Sequence, residues 1–271
     1  NLVELQYKLS FKLAGDDWLA AVNKVDTGEA IIREVVELTN SAGYVPWWSK
    51  AESQLDKENC KLEIVDIFHF LMQGLLQETY ASYFEEYGIE LLLTKEHEEE
   101  YLINPVAERI TEAFGSTRDL SEYKEFDDEE ISPRDQAKLF LGSYLLVGPS
   151  GSLSDFALMC RAFNLSSAQL RTFYLAKNAL NQFRKENNYK GDIEGAMPYK
   201  KIWHDGKEDN YFVMEHANLV AESEEECTIE SFKSSIESFY QFYCSENTNE
   251  LLLGDTTSDT ADIQPNTFDP V

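Results

Sequence analysis

Four carboxylates carry the clearest chemical signal in the chain: Glu34 with Glu37, and Glu63 with Asp66, each pair three residues apart. On a helix, residues three apart share a face, so each pair offers its oxygens together. Two such helices packed side by side would converge four acids on a hard, oxygen-rich site. That chemistry suits Mg2+ or Mn2+, with substrate phosphates completing the coordination. Spacing alone does not decide the matter. The same pattern recurs at Glu96 and Glu99 and at Glu222 and Glu225, and a solvated acidic face reads identically. Glu63 and Asp66 differ in their surroundings, KLEIVDIFHFLMQGLL over 61–76, which is apolar at almost every other position. A helix apolar nearly all round is a buried one, and buried charge needs a partner. At about 100° per residue, Glu63, Asp66, His69 and Gln73 fall in one arc. Two acids on a buried stripe point at a cation. His69 taken alone is a core histidine; its place on that stripe gives it a second reading.

A second cluster lies late in the chain. Lys177, Asn181 and Arg184 stand at i, i+4 and i+7, hence on one helical face, with Asn178 beside them. The segment 161–207 is locally basic within a strongly acidic protein. It reads either as facing an anion or as salt-bridged to the acidic remainder.

Helices must position these groups. Leu2, Leu5, Leu9 and Leu13 stand near helical spacing over 2–13, with Gln6 and Ser10 four apart on a neighbouring face. A short helix is expected to begin at Trp18. Asp26 and Glu29 form a capping box for a helix with Gly43 as its stop. An aromatic turn, Pro46-Trp47-Trp48, precedes the 61–76 helix. Residues 78–147 read as helical but irregular in charge, and Gly148-Pro149-Ser150-Gly151-Ser152 as a loop. A helix then runs through Phe163, and Ser166 with Gln169 opens another that continues to about Lys185. Residues 188–210 read as an ordered loop, 228–244 as amphipathic, and the stretch from 254, which has no Lys or Arg, as a disordered tail. Sustained period-2 alternation is almost absent, so the expected fold class is all-α. The expected division is a catalytic domain over 1–220 and an acidic segment with its tail over 221–271.

Composition narrows the function. A formal charge of −27 argues against nucleic acid and against anionic lipid surfaces as partners. With no run of 18 apolar residues and no signal-peptide pattern, the expected setting is soluble and cytoplasmic, or the host cytoplasm for a viral protein. Cys60, Cys160, Cys227 and Cys244 are widely spaced and read as reduced thiols.

Residues 29–73 resemble the E-x-x-E and E-x-x-D helices of the MazG-like all-α nucleoside triphosphate pyrophosphatases, and most closely the dimeric dUTP pyrophosphatases. EIVDIFHF is similar to their second acidic helix, and Gly43-Tyr44 with Trp47-Trp48 to the segment joining the two. LQYKLS over 5–10 resembles their first motif, with Ser10 where the family commonly carries Asn. Lys177-Asn178, Asn181 and Arg184, then Tyr189-Lys190-Gly191 and the stretch through Asn210, resemble the last motifs. The resemblance implies a homodimeric enzyme that binds deoxyuridine nucleotides. It would hydrolyse dUTP to dUMP and pyrophosphate and also cleave dUDP, with two or three Mg2+ ions on Glu34, Glu37, Glu63 and Asp66. It assigns Lys177, Arg184 and Lys190 to phosphate, and Asn178 or Asn181 to sugar or phosphate. Gln6, Ser10 and His69 go to the base and Phe70 to the deoxyribose, with Trp47, Tyr189 and Asn210 near substrate. Phage-type dCTP/dUTP pyrophosphatases share the VDIFHF helix and are the rival reading. A non-catalytic metal-binding regulatory protein is the rival of another class.

Overall fold

A computed structural model of the protein describes residues 1–15, 18–19, 26–45, 54–87, 95–116, 131–191, 193–197, 199–223 and 226–244. It is mostly helical, as expected. In order come α1 (Leu2–Ala14), α2 (Thr27–Ser41), α3 (Lys57–Tyr87), α4 (Lys95–Glu98) running into a π-helical turn (Glu99–Ile103), and α5 (Asn104–Ser116). Then come α6 (Pro133–Gly151), α7 (Leu153–Ala162), α8 (Ser167–Glu186), strands β1 (Ile202–His204) and β2 (Lys207–Glu208), α9 (Asp209–Ser223) and α10 (Ile229–Cys244).

The 31-residue α3 is the axis of the bundle. Ile64, Val65, Ile67, Phe68, Leu71, Met72, Leu75 and Leu76 are all buried, which is what an apolar pattern on every face demands. α1, α2, α5, α6 and α8 pack around it. Phe68 stacks on Phe156 of α7, with ring centroids 5.4 Å apart.

Local signals set the helix ends. The Asp26 carboxylate accepts from the Glu29 amide at 2.8 Å and starts α2. Gly43, just past its end, takes a φ of 83° that favours glycine. Ser166 and Gln169 make a reciprocal capping box at the start of α8.

Two segments differ from expectation. The stretch from Gly148 to Ser152 is a break between helical turns, not a loop. Gly148 leaves helical geometry with a φ of 74°. Pro149 then sits in the first turn of the next helical run, where its missing N–H costs nothing. Residues 188–210 include a small antiparallel hairpin, β1 with β2. Its turn, Asp205-Gly206, has positive φ at both residues, 48° and 74°, matching the twist that tight hairpins need. Trp18 and Leu19 form a turn, and the remainder of the short helix expected there lies outside the described residues, as do Trp47, Trp48 and everything beyond 244. Among the described residues no helix is long and apolar enough to cross a membrane.

Candidate active site

α2 and α3 run antiparallel and are clipped at one end. Ala42 bridges Leu55, the Asp56 amide donates to the Ser41 carbonyl at 2.8 Å, and Asn59 Nδ2 donates to Ser41 Oγ at 2.6 Å. One turn further along, Glu37 of α2 comes level with Glu63 of α3; two turns along, Glu34 comes level with Asp66. Register therefore brings the two sequence pairs together.

Glu34, Glu37 and Glu63 each offer a carboxylate oxygen within 4.8 Å of the others. Glu63 is 5% exposed and accepts from Asn59 Nδ2 at 2.9 Å. Burial, then the charges of Asp66 and Glu37, pushes the Glu34 carboxyl up to about 7. Burial, then Asp66, Glu34 and Glu37, pushes Glu63 up to about 8, and the Glu63 carboxyl donates to Glu34. A proton thus sits where acids crowd. The donor set is all hard oxygen, and a divalent cation would relieve the repulsion those raised values record. The three glutamates fit a metal.

Asp66 stands beside this cluster, on the cationic side. Lys177 Nζ of α8, 4% exposed, lies 2.8 Å from Asp66 Oδ2 and donates to Asn210 Oδ1 at 3.3 Å. Arg184, two turns along α8, is gripped by Asp209 through Nε at 2.7 Å and Nη2 at 2.6 Å, and also donates to Asn210 at 3.1 Å. Asp209 is fully buried and also accepts from the Tyr199 hydroxyl at 3.0 Å. Asn181 Oδ1 lies 3.5 Å from Arg184 Nη1. The guanidinium sits over the Tyr189 ring at 5.2 Å, and Lys190 is exposed next to it.

The third group is a buried polar network. Gln6 Nε2 donates to Ser10 Oγ at 3.0 Å, and Gln6 Oε1 accepts from the Tyr174 hydroxyl at 3.1 Å. Asn178 Nδ2 donates to that hydroxyl at 3.0 Å and its Oδ1 accepts from Gln182 at 2.8 Å. His69 Nδ1 lies 2.7 Å from Gln6 Oε1, and the imidazole stacks on Tyr174 with centroids 4.4 Å apart. With Oε1 an acceptor, Nδ1 must carry the proton. Burial holds His69 down to about 4, so the ring is neutral at pH 7 and Nε2 is a bare acceptor, buried and unpartnered. Phe70, the residue after His69 on α3, is half-buried.

The structure thus gathers Glu34, Glu37 and Glu63; Asp66 with Lys177; Arg184 with Asn210 and Asn181; and Gln6, Ser10, His69 and Asn178. Trp47 lies outside the described residues. Sequence alone does not single out Asp209, Tyr174 or Asn59. Asp209 falls within the motif-like stretch that ends at Asn210, and Asn59 and Tyr174 each sit one turn before a residue that spacing does mark.

A helical bundle whose carboxylates and cations meet across the axis is the architecture expected of an all-α nucleotide pyrophosphatase. A family model described as dUTPase matches residues 1–138. The chain belongs to this all-α dUTPase family, nucleotide hydrolases whose substrates are deoxyuridine nucleotides. No curated protein matches it.

Proposed function

We propose that the protein hydrolyses dUTP to dUMP and pyrophosphate, with Mg2+ held by Glu34, Glu37 and Glu63 and completed by Asp66. The observation that carries this reading is the three-glutamate cluster, with Asp66 one turn along α3 from Glu63 and paired with the buried Lys177. When bound, the ions would neutralise triphosphate charge and make a water more acidic. The chain's own residues do the rest. Lys177 and Arg184 are the cations we assign to the triphosphate charge, and their bonds to Asp66, Asp209 and Asn210 would hold them in place before substrate arrives. Glu34 is the residue we assign to orient the attacking water and take its proton. Water adds at the phosphorus, the bridging P–O bond breaks, and the pyrophosphate oxygen leaves with its charge balanced by the lysine and arginine.

The base reading rests on the tautomer of His69. Uracil presents an N3–H donor, whereas cytosine presents an N3 acceptor. A bare Nε2 suits the first and opposes the second, at a cost on the order of 1–3 kcal/mol for the unpaired group. The dUTP reading is therefore favoured over dCTP, and dUDP is a further substrate. Ile32 and Val36 on α2, and Leu139 and Leu146 on α6, are exposed apolar side chains on two helices that pack together. They support a homodimer.

The test is product release from dUTP, dUDP, dCTP and dTTP, with and without Mg2+, on protein whose mass is read by light scattering. The expected outcome is Mg2+-dependent cleavage of dUTP and dUDP by a species of twice the 31.1 kDa chain mass. Equal turnover of dCTP would overturn the base reading, and no release from any nucleotide would overturn the whole.

A further inference from the structure

The segment carrying Arg184's partner is held from behind by α10. Tyr240 of α10 stacks on Tyr199, with centroids 5.0 Å apart and planes 8° from parallel. Its hydroxyl accepts from the Lys200 amide at 3.2 Å, and Lys200 Nζ donates to the Cys244 carbonyl at 3.2 Å. Phe183 of α8 meets the same ring edge-on at 5.4 Å. From Tyr199 the contacts run inward without a gap. Its hydroxyl reaches Asp209, Asp209 grips Arg184, and Arg184 shares Asn210 Oδ1 with Lys177, which reaches Asp66.

Anchoring α10 does not require this. Phe232 and Ile236, each 1% exposed, already bury the helix's apolar stripe, while Tyr240 is only half-buried. The base network on Gln6, His69 and Tyr174 draws its support from α1, α3 and α8 and makes no hydrogen bond to α10 among the described residues. The two halves of a nucleotide would therefore feel α10 unequally.

We propose that Tyr240 is a positioning residue for the triphosphate. It fixes Tyr199, and through it the Asp209–Arg184 pair, so that a helix outside the family-matched stretch sets where the phosphate-facing cations stand. The proposal rests on the reading of this site as a deoxyuridine triphosphate site. A guanidinium already held in place has less freedom to lose when the phosphates arrive, which is how preorganisation strengthens binding.

Calorimetry on the full chain with Mg2+ tests it, using α,β-imido-dUTP against deoxyuridine as ligands. Tyr240→Ala is expected to weaken the imido analogue about tenfold and raise KM for dUTP by a similar factor. It should move kcat less than about twofold and leave deoxyuridine affinity unchanged. Tyr240→Phe keeps the ring and should restore most of the loss. Tyr199→Phe keeps the ring stack and removes only the hydroxyl on Asp209. It should weaken the analogue roughly fivefold at a near-normal melting temperature, and it carries the test should Tyr240→Ala not fold. Analogue binding unchanged in both variants would overturn the proposal. So would equal losses for analogue and deoxyuridine, which would make α10 a stabilising element only. A wild-type chain that neither binds the analogue nor cleaves dUTP is a different failure, visible without any variant, and it removes the functional reading itself.

Discussion

On the α2–α3 side of the site, Glu34, Glu37 and Glu63 face one another, and burial with mutual repulsion raises the Glu34 and Glu63 carboxyls. On the α8–α9 side each cation already holds a carboxylate, the buried Lys177 on Asp66 and the half-buried Arg184 on the buried Asp209. Both regions bury charge, but only the second is neutralised from within the chain. Breaking a buried pair by removing one partner costs about 3–5 kcal/mol, whereas removing one of several crowded like charges relieves strain. The cationic side is thus part of what holds the fold together, and the acidic side is a tension awaiting a ligand. The two should answer opposite ways to the same kind of substitution.

The largest expected effect is on turnover. Glu63→Gln should lower dUTP hydrolysis on the order of a thousandfold and abolish the Mg2+-induced rise in melting temperature. At a pH of about 8.5 without metal it should melt a few degrees higher than the wild type, since one repelling charge is gone. A variant that melts lower would break the comparison on its acidic side. Asp209→Asn is the matching experiment on the cationic side. It leaves the half-buried Arg184 beside a neutral group in a site whose other partner is fully buried, and should cost about 3 kcal/mol in denaturant unfolding. A loss under about 1 kcal/mol would show that water or another acid replaces the pair as easily as on a surface.

The smallest effect sharpens the contrast through pH. The folded carboxyls of Glu34 and Glu63 titrate near 7 and 8, above their ordinary value of 4.5. The folded state therefore holds protons that the unfolded state releases. The contribution of this pair is most favourable below about pH 4.5 and is lost as pH rises through 7 to 8. Metal-free protein should melt progressively lower across that window, and millimolar Mg2+ should flatten the slope and bind more tightly as pH rises. Parallel curves with and without Mg2+ would leave the cluster without a metal.

How far the sequence spoke depends on the range over which each signal acts. The α3 stripe was legible because burial and helical periodicity together leave Glu63 and His69 only one direction to face. The start of α8 at Ser166 and the stop of α2 at Gly43 were legible because caps are short-range chemistry. The hairpin turn at Asp205-Gly206 carried a short-range signal too, but it was submerged in a stretch rich in glycine and proline and read as loop. Gly148-Pro149 marked a break correctly and its extent wrongly, because a proline that ends one helix is equally at home opening the next. Pairings such as Arg184 with Asp209, or Lys177 with Asp66, depend on how α8, α9 and α3 come together. Spacing showed that the cations share a face and could not say which acid each would meet.

The distribution of the thiols gives α10 an optical handle. Cys60, Cys160 and Cys227 are buried, while Cys244, at the last turn of α10, is partly open. Thiol reagents attack the accessible thiolate, so a maleimide dye added to the unaltered protein would mark this helix first. Its emission would then report the surroundings of α10 where it meets Lys200, with no engineered cysteine required.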